Sequence, residues 1–304
     1  MAITQSEAAK YTVNSVKRGV LEEIIKDSFI MQNLKFIDVV GNAYQYLREN
    51  SLGSANFYDP NEPWSEDTGD VTQVTASIKI LGGDADVDNF LKATRSDKTD
   101  FEAENIDMKA KAVKHTFLDN FYYGSVSANA KSFDGIQTLM NSTTAQVVNM
   151  AGALSVATLE TQMDLVLDGK GDGLFMSKAN RRRLTQYFRA KNNVNLMMNN
   201  AGERLKEFNE VPIYVDDFLT QTETVSGTSV TAKTGSNTSS VLYLSFGDSA
   251  VLGLQNGGLS IKKLGQLMNK DSVRWRIKWY VGLALMRTIR VARVHGITAA
   301  TVVD

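Results

Sequence analysis

Near the end of the chain, residues 273–297 read VRWRIKWYVGLALMRTIRVARVHGI and begin with strict alternation. Val273, Trp275, Ile277, Trp279 and Val281 share one face of a strand, and Arg274, Arg276, Lys278 and Tyr280 share the other. A strand of this kind buries one side. Two tryptophans at i and i+4 are costly to leave in water, so that side must cover something large. The cationic side is left for solvent, a neighbouring chain or a polyanion.

Other periodicities supply the remaining elements. Residues 7–31 place Val13, Val16, Val20 and Ile24 on one helical stripe, widened by Leu21 and Ile25, which reads as an arm packed on another subunit or as an ordinary surface helix. Strand-like runs follow at 36–47 and 71–81, the second rich in β-branched residues. Between them lie Pro60, Pro63, Gly53 and Gly69 with Asp59, Glu62, Glu66, Asp67 and Asp70, so the pair predicts a long two-stranded protrusion with an acidic tip. Phe57, Tyr58 and Trp64 are odd residues for a free tip. Either a partner surface or folding back on the same domain accounts for them.

A helix is predicted over 97–123, with Thr99 and Glu102 as a capping box, Phe101, Ile106, Ala110, Val113, Phe117 and Phe121 as its buried stripe, and Gly124 as its stop. The segment SFDGIQTLM follows at 132–140, and a second helix from Leu154 turns Val156, Leu159, Met163, Val166 and Leu167 inward. DGKGDG at 168–173 follows a helix and precedes the short strand LFM, an order that suits a tight connection and not a dinucleotide fingerprint. Ser177 caps a third helix whose Arg181, Arg182 and Arg183 fan over a solvated or inter-subunit face. After the Asn-rich NNVNLMMNN come a strand at 211–215, a polar 220–240 stretch read as an exposed hairpin or mobile loop, and strands at 241–248 and 256–264.

Composition narrows the classes. With 304 residues, 43% of them apolar, the chain can bury a real core. Lys+Arg 33 against Asp+Glu 34 disfavours a dedicated nucleic-acid binder. The absence of cysteine excludes disulfides and thiolate chemistry. Neither a signal peptide nor a membrane span is predicted. Asp84, Asp86 and Asp88 mimic the start of a calcium loop, but Arg95 stands where the bidentate Glu is required, so a solvated strand face is the better reading. The two histidines, His115 and His295, are read as surface or packed residues, and adjacent Asp216 and Asp217 are a weak signal. With no nucleophile elbow, phosphate loop or zinc motif, no enzyme activity, cofactor or metal is predicted.

The order of elements is more informative than any one of them: an arm, a two-stranded protrusion, one long helix, an inserted mixed lobe and a return strand. Carried by KFIDVVGNAYQYLRE, SFDGIQTLM, LFMSKANRRRL, EVPIYVDDF, LYLSFGDSAVLGLQNGGLSIKKL and RWRIKWYVGLALMRTIRVARV, this layout resembles the major capsid proteins of tailed bacteriophages with the HK97-like fold, across essentially the whole chain. The fold class is then α+β. The resemblance implies an N-arm at 1–34, an extended E-loop at 35–81, a P-domain at 82–151 and 256–304, and an A-domain at 152–255.

It also implies self-assembly into hexamers and pentamers of an icosahedral virion shell, built in the bacterial cytoplasm around double-stranded DNA, with scaffolding, portal and decoration proteins as further partners. Suspected inter-subunit residues are Arg48, Glu49, Phe57, Tyr58, Trp64, Glu66, Asp67, Arg181, Arg182 and Arg183; Arg274, Arg276 and Lys278 are the suspected subunit- or DNA-facing strand side. Some relatives cross-link through an E-loop lysine, yet no lysine lies between Asn50 and Ser77, which argues against that chemistry. Other relatives carry a removable scaffolding segment; here a separate scaffold, or none, is expected. The alternative reading is an encapsulin-type nanocompartment, which shares the fold and encloses protein cargo.

Overall fold

The computed structural model describes residues 29–89, 101–167, 169–191, 196–198 and 204–304. The arm helix expected at 7–31 therefore lies outside the described residues up to 28, and only its end is seen, as α1 (Phe29–Asn33). Thr99 of the expected capping box, the side chains of Phe101 and Glu102, and most of NNVNLMMNN are likewise outside.

Two sheets organise what is described. The first gathers around β15 (Ser272–Leu285), the 14-residue strand that opened the sequence reading. Its first ten residues pair antiparallel with β4 (Lys79–Asp88), their opposite edge pairs with β14 (Ser260–Gln266), and its last five pair with β13 (Val251–Gln255), which takes β1 (Phe36–Asp38) in parallel. The alternation is realised. Ile277 and Val281 are completely buried, and Trp275 and Trp279 nearly so.

Their cover is α2 (Phe101–Tyr123), which at 23 residues spans about 35 Å. Ile106, Ala110, Val113, Phe117 and Phe121 all turn inward, as the spacing predicts. The Trp279 ring lies 4.9 Å from that of Phe117 and 5.3 Å from that of Phe36, with Phe133 closing the other side of Phe117 at 5.9 Å. Gly124 ends the helix because the chain must double back there. A Cβ on it would meet the Phe133 carbonyl oxygen at 2.4 Å, while the amide of Gly135 donates to the Gly124 carbonyl at 2.9 Å. The short α3 (Ile136–Met140) then packs beneath α2.

A mixed seven-stranded sheet carries the second lobe in the order β5 (Val147–Gly152), β16 (Val291–Thr298), β12 (Thr238–Leu244), β6 (Gly173–Met176), β9 (Val211–Val215), β8 (Arg204–Phe208) and β7 (Leu196–Met198). Leu159 of α4 (Val156–Asp164) and Leu184 of α5 (Lys178–Ala190) cover one face. Phe175, Leu242, Leu244 and Val291 on the other face join the core around α2, so both sheets share it. The Oγ atoms of Ser155 and Ser177 cap α4 and α5 by accepting from the amides of Thr158 and Asn180.

Several expectations are corrected. The return stretch 273–297 is two strands in two sheets, interrupted at 286–290. Strand pairing also crosses the expected divisions: 251–255 joins the first sheet, and 147–152 and 291–298 join the second. The 36–47 run breaks at Gly41 (φ 105°) into β1 and β2 (Ala43–Ser51), and the 71–81 run breaks at Ile78 into β3 (Asp70–Ser77) and β4. Leu167 was expected inward but is 55% exposed, because α4 stops at Asp164. The polar 220–240 stretch does form a hairpin, β10 (Thr224–Ser226) with β11 (Ser229–Ala232), but it is not a free loop: Glu223, Val230, Ser239 and Ser240 are buried.

Truncating the central ring tests this packing. Phe117→Ala is expected to destabilise the protein by about 3–5 kcal/mol in urea unfolding. A loss under about 1 kcal/mol would show that the β15–α2 contact is not the main core.

Candidate subunit interface

Between the two strand runs the chain leaves the body as a ribbon. β2 pairs with β3 from Ala43–Ser77 out to Ser51–Asp70 with one irregularity near the far end. Its foot is held by the body. Tyr46 packs with Val39, Leu252, Leu254 and Ala284, and its hydroxyl donates to the Leu285 carbonyl at 2.7 Å. Arg48 continues this attachment, with Nε donating to the Met286 carbonyl at 3.2 Å and Nη2 to that of Leu285. Arg48 was expected to reach a neighbour. Instead its guanidinium serves the end of β15, anchoring the ribbon from within the same chain.

Beyond Ser51 the hydrogen bonds of the tip among the described residues run within the tip itself. Tyr58 and Trp64 stack at 4.7 Å and 12°. The Ser65 amide donates to the Tyr58 hydroxyl at 3.1 Å, and the Ser54 amide donates to Asp67 at 2.8 Å. That amide holds the Asp67 carboxyl below its ordinary pKa. A turn at 59–62 closes the end, with Asn61 at φ 72° after Pro60. Glu49 and Glu66 are exposed. Trp64 remains 82% exposed and Phe57 fully so, and Leu52 and Val71 are exposed as well. A tip that is internally braced yet presents its aromatic surface to water is shaped for contact with something outside the chain.

The cationic side of β15 departs most from expectation. Arg274 forms a bidentate pair with Asp86 at 2.6 and 2.7 Å, and Arg276 forms another with Asp84 at 2.7 and 2.8 Å, because register sets each arginine opposite its aspartate on β4. The Lys278 amine donates to the Tyr280 hydroxyl at 3.0 Å. The calcium-like Asp84 and Asp86 are thus the counter-charges of the two arginines on the basic strand.

The arginine triplet also divides. Arg183 donates to Asn180 at 2.9 Å and Gln221 at 3.0 Å, Arg181 is half-buried at a cleft beside Phe29, Lys178 and Asp217, and Arg182 is exposed. Asp216 and Asp217 have separate tasks. Asp216 accepts from the Tyr122 hydroxyl at 3.0 Å, with burial raising its pKa, and Asp217 pairs with Lys178 at 2.7 Å. Among the described residues no helix is long and apolar enough to cross a membrane, and no group of three His, Asp or Glu side chains could hold a metal ion.

No family model matches the chain, and no curated protein matches it in sequence. Its fold, in contrast, is shared. The SrpI encapsulin of Synechococcus elongatus PCC 7942, in a holo complex, superposes with a TM-score of 0.70 at 14% identity, covering 92% of this chain and 91% of that one. The capsid of a native GTA particle gives 0.62 at 11% identity, covering 88% and 89%. Microbacterium phage Oxtober96 gives 0.63 at 13% identity, covering 89% and 90%. The chain has the HK97-like capsid fold.

Within this HK97-like fold lies a buried polar centre that pattern reading missed, at the end of α2. Glu223 accepts from the Tyr123 hydroxyl at 2.5 Å, from the Gln137 amide at 3.4 Å and from the Ser240 hydroxyl. Arg293, completely buried, donates to the backbone and side-chain oxygens of Gln137 at 2.9 and 2.8 Å, to Asn141 at 3.0 Å and to the Thr228 carbonyl at 2.7 Å. These bonds tie α2, α3, the β10–β11 hairpin and β16 together. Glu223 lies in a polar stretch that gives no hint of burial, and Arg293, though flanked by the apolar Ala292 and Val294, has partners only in distant segments.

Burial raises the Glu223 pKa from 4.5 to about 7, and burial together with Arg293 lowers that of His295 from 6.5 to about 4. The two act in opposite directions. Glu223 lends stability that is fully present below pH 4.5 and lost as pH rises through about 7; His295 lends stability present above pH 6.5 and lost as pH falls through about 4. Glu223→Gln removes the opposing slope and is therefore expected to lose about 3 kcal/mol of its own stability between pH 6.5 and 4, where the wild type stays flatter. His295→Gln is expected to lose stability in the other direction, from pH 4.5 to 7. Denaturant midpoints across that range decide it, and parallel pH profiles for all three proteins would contradict the opposition.

Proposed function

We propose that the chain is a shell subunit, the major capsid protein of a bacteriophage head, which assembles through hexamers and pentamers into an icosahedral virion around double-stranded DNA. The observation that carries this reading is the braced ribbon tip, whose Phe57 and Trp64 are left in water by a body that is otherwise well packed. An exposed aromatic patch of this kind is costly in a monomer and useful between copies. The HK97-like fold, shared with phage and GTA capsids, supports it. In this reading the ribbon is the E-loop, the β15–α2 body the P-domain, and the α4–α5 lobe the A-domain. Scaffolding, portal and decoration proteins are further partners, and assembly takes place in the host cytoplasm. On the outer side of β15, Arg274 and Arg276 are each paired with an aspartate of β4, and Lys278 bonds the Tyr280 hydroxyl.

A second reading has its own support: the SrpI encapsulin superposes with the TM-score of 0.70. In that case the same shell would enclose protein.

Negative-stain microscopy of the purified protein tests the shared claim, and the nucleic-acid and protein content of particles separates the readings. Rings, tubes or closed shells are expected. Discrete monomers under every condition, with and without a scaffold, would overturn it. Replacing 52–69 by Asn-Gly, which suits a two-residue turn between the paired Ser51 and Asp70, is expected to leave the body folded and abolish closed particles. Normal particles from that variant would refute the role of the tip.

A further inference from the structure

β13 and β14 lie along one edge of β15. Val281 pairs with Lys79 on one side and Gln255 on the other, so β13 stands opposite β4, on the edge that β14 also occupies. Both run antiparallel to β15, and their registers leave residues 256–259 facing only Trp279 and Tyr280. The surplus forms a bulge. Gly257 and Gly258 allow it by taking left-handed backbone, at φ 70° and 66°.

This bulge presents Asn256 followed by Gly257, both exposed and the one Asn-Gly step in the sequence. In any asparagine the side-chain carbonyl carbon can close a five-membered ring with the amide nitrogen of the next residue, and a side chain on that residue screens the nitrogen. Here nothing screens it. The space beside Gly257 is open, since a Cβ on it would meet no atom within 4 Å, and its amide donates to no group among the described residues. Other exposed asparagines, Asn50, Asn61 and Asn237, precede Ser51, Glu62 and Thr238.

The side-chain amide of Asn256 also has a structural task. Its Nδ2 donates to the Val39 carbonyl at 2.8 Å, and the Val39 amide donates to the Gln255 carbonyl at 2.8 Å. Val39 is buried with Tyr46 and Leu254, two residues before Gly41, where the chain turns into the ribbon. One asparagine therefore pins the chain at the ribbon's foot.

We propose that Asn256 is a self-modification site, at which the Gly257 amide turns the side-chain amide into an acid and so releases Val39. The Gly257 nitrogen gives its proton to solvent and attacks Asn256 Cγ; the N–Cγ bond forms, the Cγ–Nδ2 bond breaks, and the amide takes a proton from solvent and departs as ammonia. Water then opens the cyclic imide at either carbonyl, leaving aspartate or isoaspartate at position 256. No co-reactant besides water is needed. Either product sets a carboxylate oxygen, an acceptor, against the Val39 carbonyl, another acceptor, and isoaspartate also lengthens the bulge backbone by one carbon. The inference holds whether or not the chain builds a shell.

Peptide mass spectrometry of the full-length protein, held folded in buffer for weeks, tests it. Conversion of amide to acid is expected at least about 10-fold faster at Asn256 than at Asn50, Asn61 or Asn237. N256Q, which would have to close a six-membered ring, is expected to stay unconverted. The product is mimicked by N256D, in which amide exchange over 36–43 is expected to rise at least about 10-fold while 272–281 keeps wild-type protection. Conversion at Asn256 no faster than at the other three would overturn the modification site, and this measurement needs no variant to fold. Wild-type exchange over 36–43 in both N256D and the aged protein would overturn the release of Val39.

Discussion

The contact of Trp279 with Phe117 is the constraint from which the rest of the body follows. β15 is the strand that β4, β13 and β14 all pair with, and its buried side has one large apolar partner, the inward stripe of α2. Without that helix the sheet would expose two tryptophans; without the strand the helix would expose two phenylalanines. Because β4 grows directly out of the ribbon and Arg48 ties the ribbon back to the end of β15, the same seam sets where the protrusion leaves the body. A stiff body with a fixed exit point is what allows a long, thin ribbon to present its tip at a reproducible position.

The opposite side of the strand shows how charge is managed on that body. Two bidentate Arg–Asp pairs neutralise what looks in the sequence like a basic stripe, at sites exposed enough that each pair adds little stability but fixes the β4–β15 register. The lobe connection is handled differently. Glu223 and Arg293 are buried among enough donors and acceptors to be tolerated, and losing any one partner would strand the others. Here polar groups join elements from distant parts of the chain, whereas on the sheet surface they align neighbours.

Legibility followed the range of the interaction. The period-2 face of β15, the stripe of α2, the Ser177 cap and the ribbon with its turn residues all depend on residues within a few positions of one another, and each could be read directly. The fold resemblance came from the order of these elements. What could not be read depends on register between distant segments: Arg274 with Asp86, Arg48 with the Leu285 carbonyl, and Glu223 with Tyr123. The same limitation made the return stretch look like one strand, since apolar alternation does not reveal that 272–285 and 291–298 belong to different sheets. At the candidate interface, the exposed aromatics were apparent from composition of the loop, but the bonds that Arg48 and Arg183 make within the chain depend on distant segments and were not.

In the proposed shell, the body offers a braced tip for another copy to cover. Amide hydrogen exchange on dissociated subunits and on assembled particles measures it directly. Residues 272–285 should be protected in both states, and 52–69 should exchange rapidly in the free subunit and become protected on assembly. Equal exchange of the tip in the two states would contradict the account.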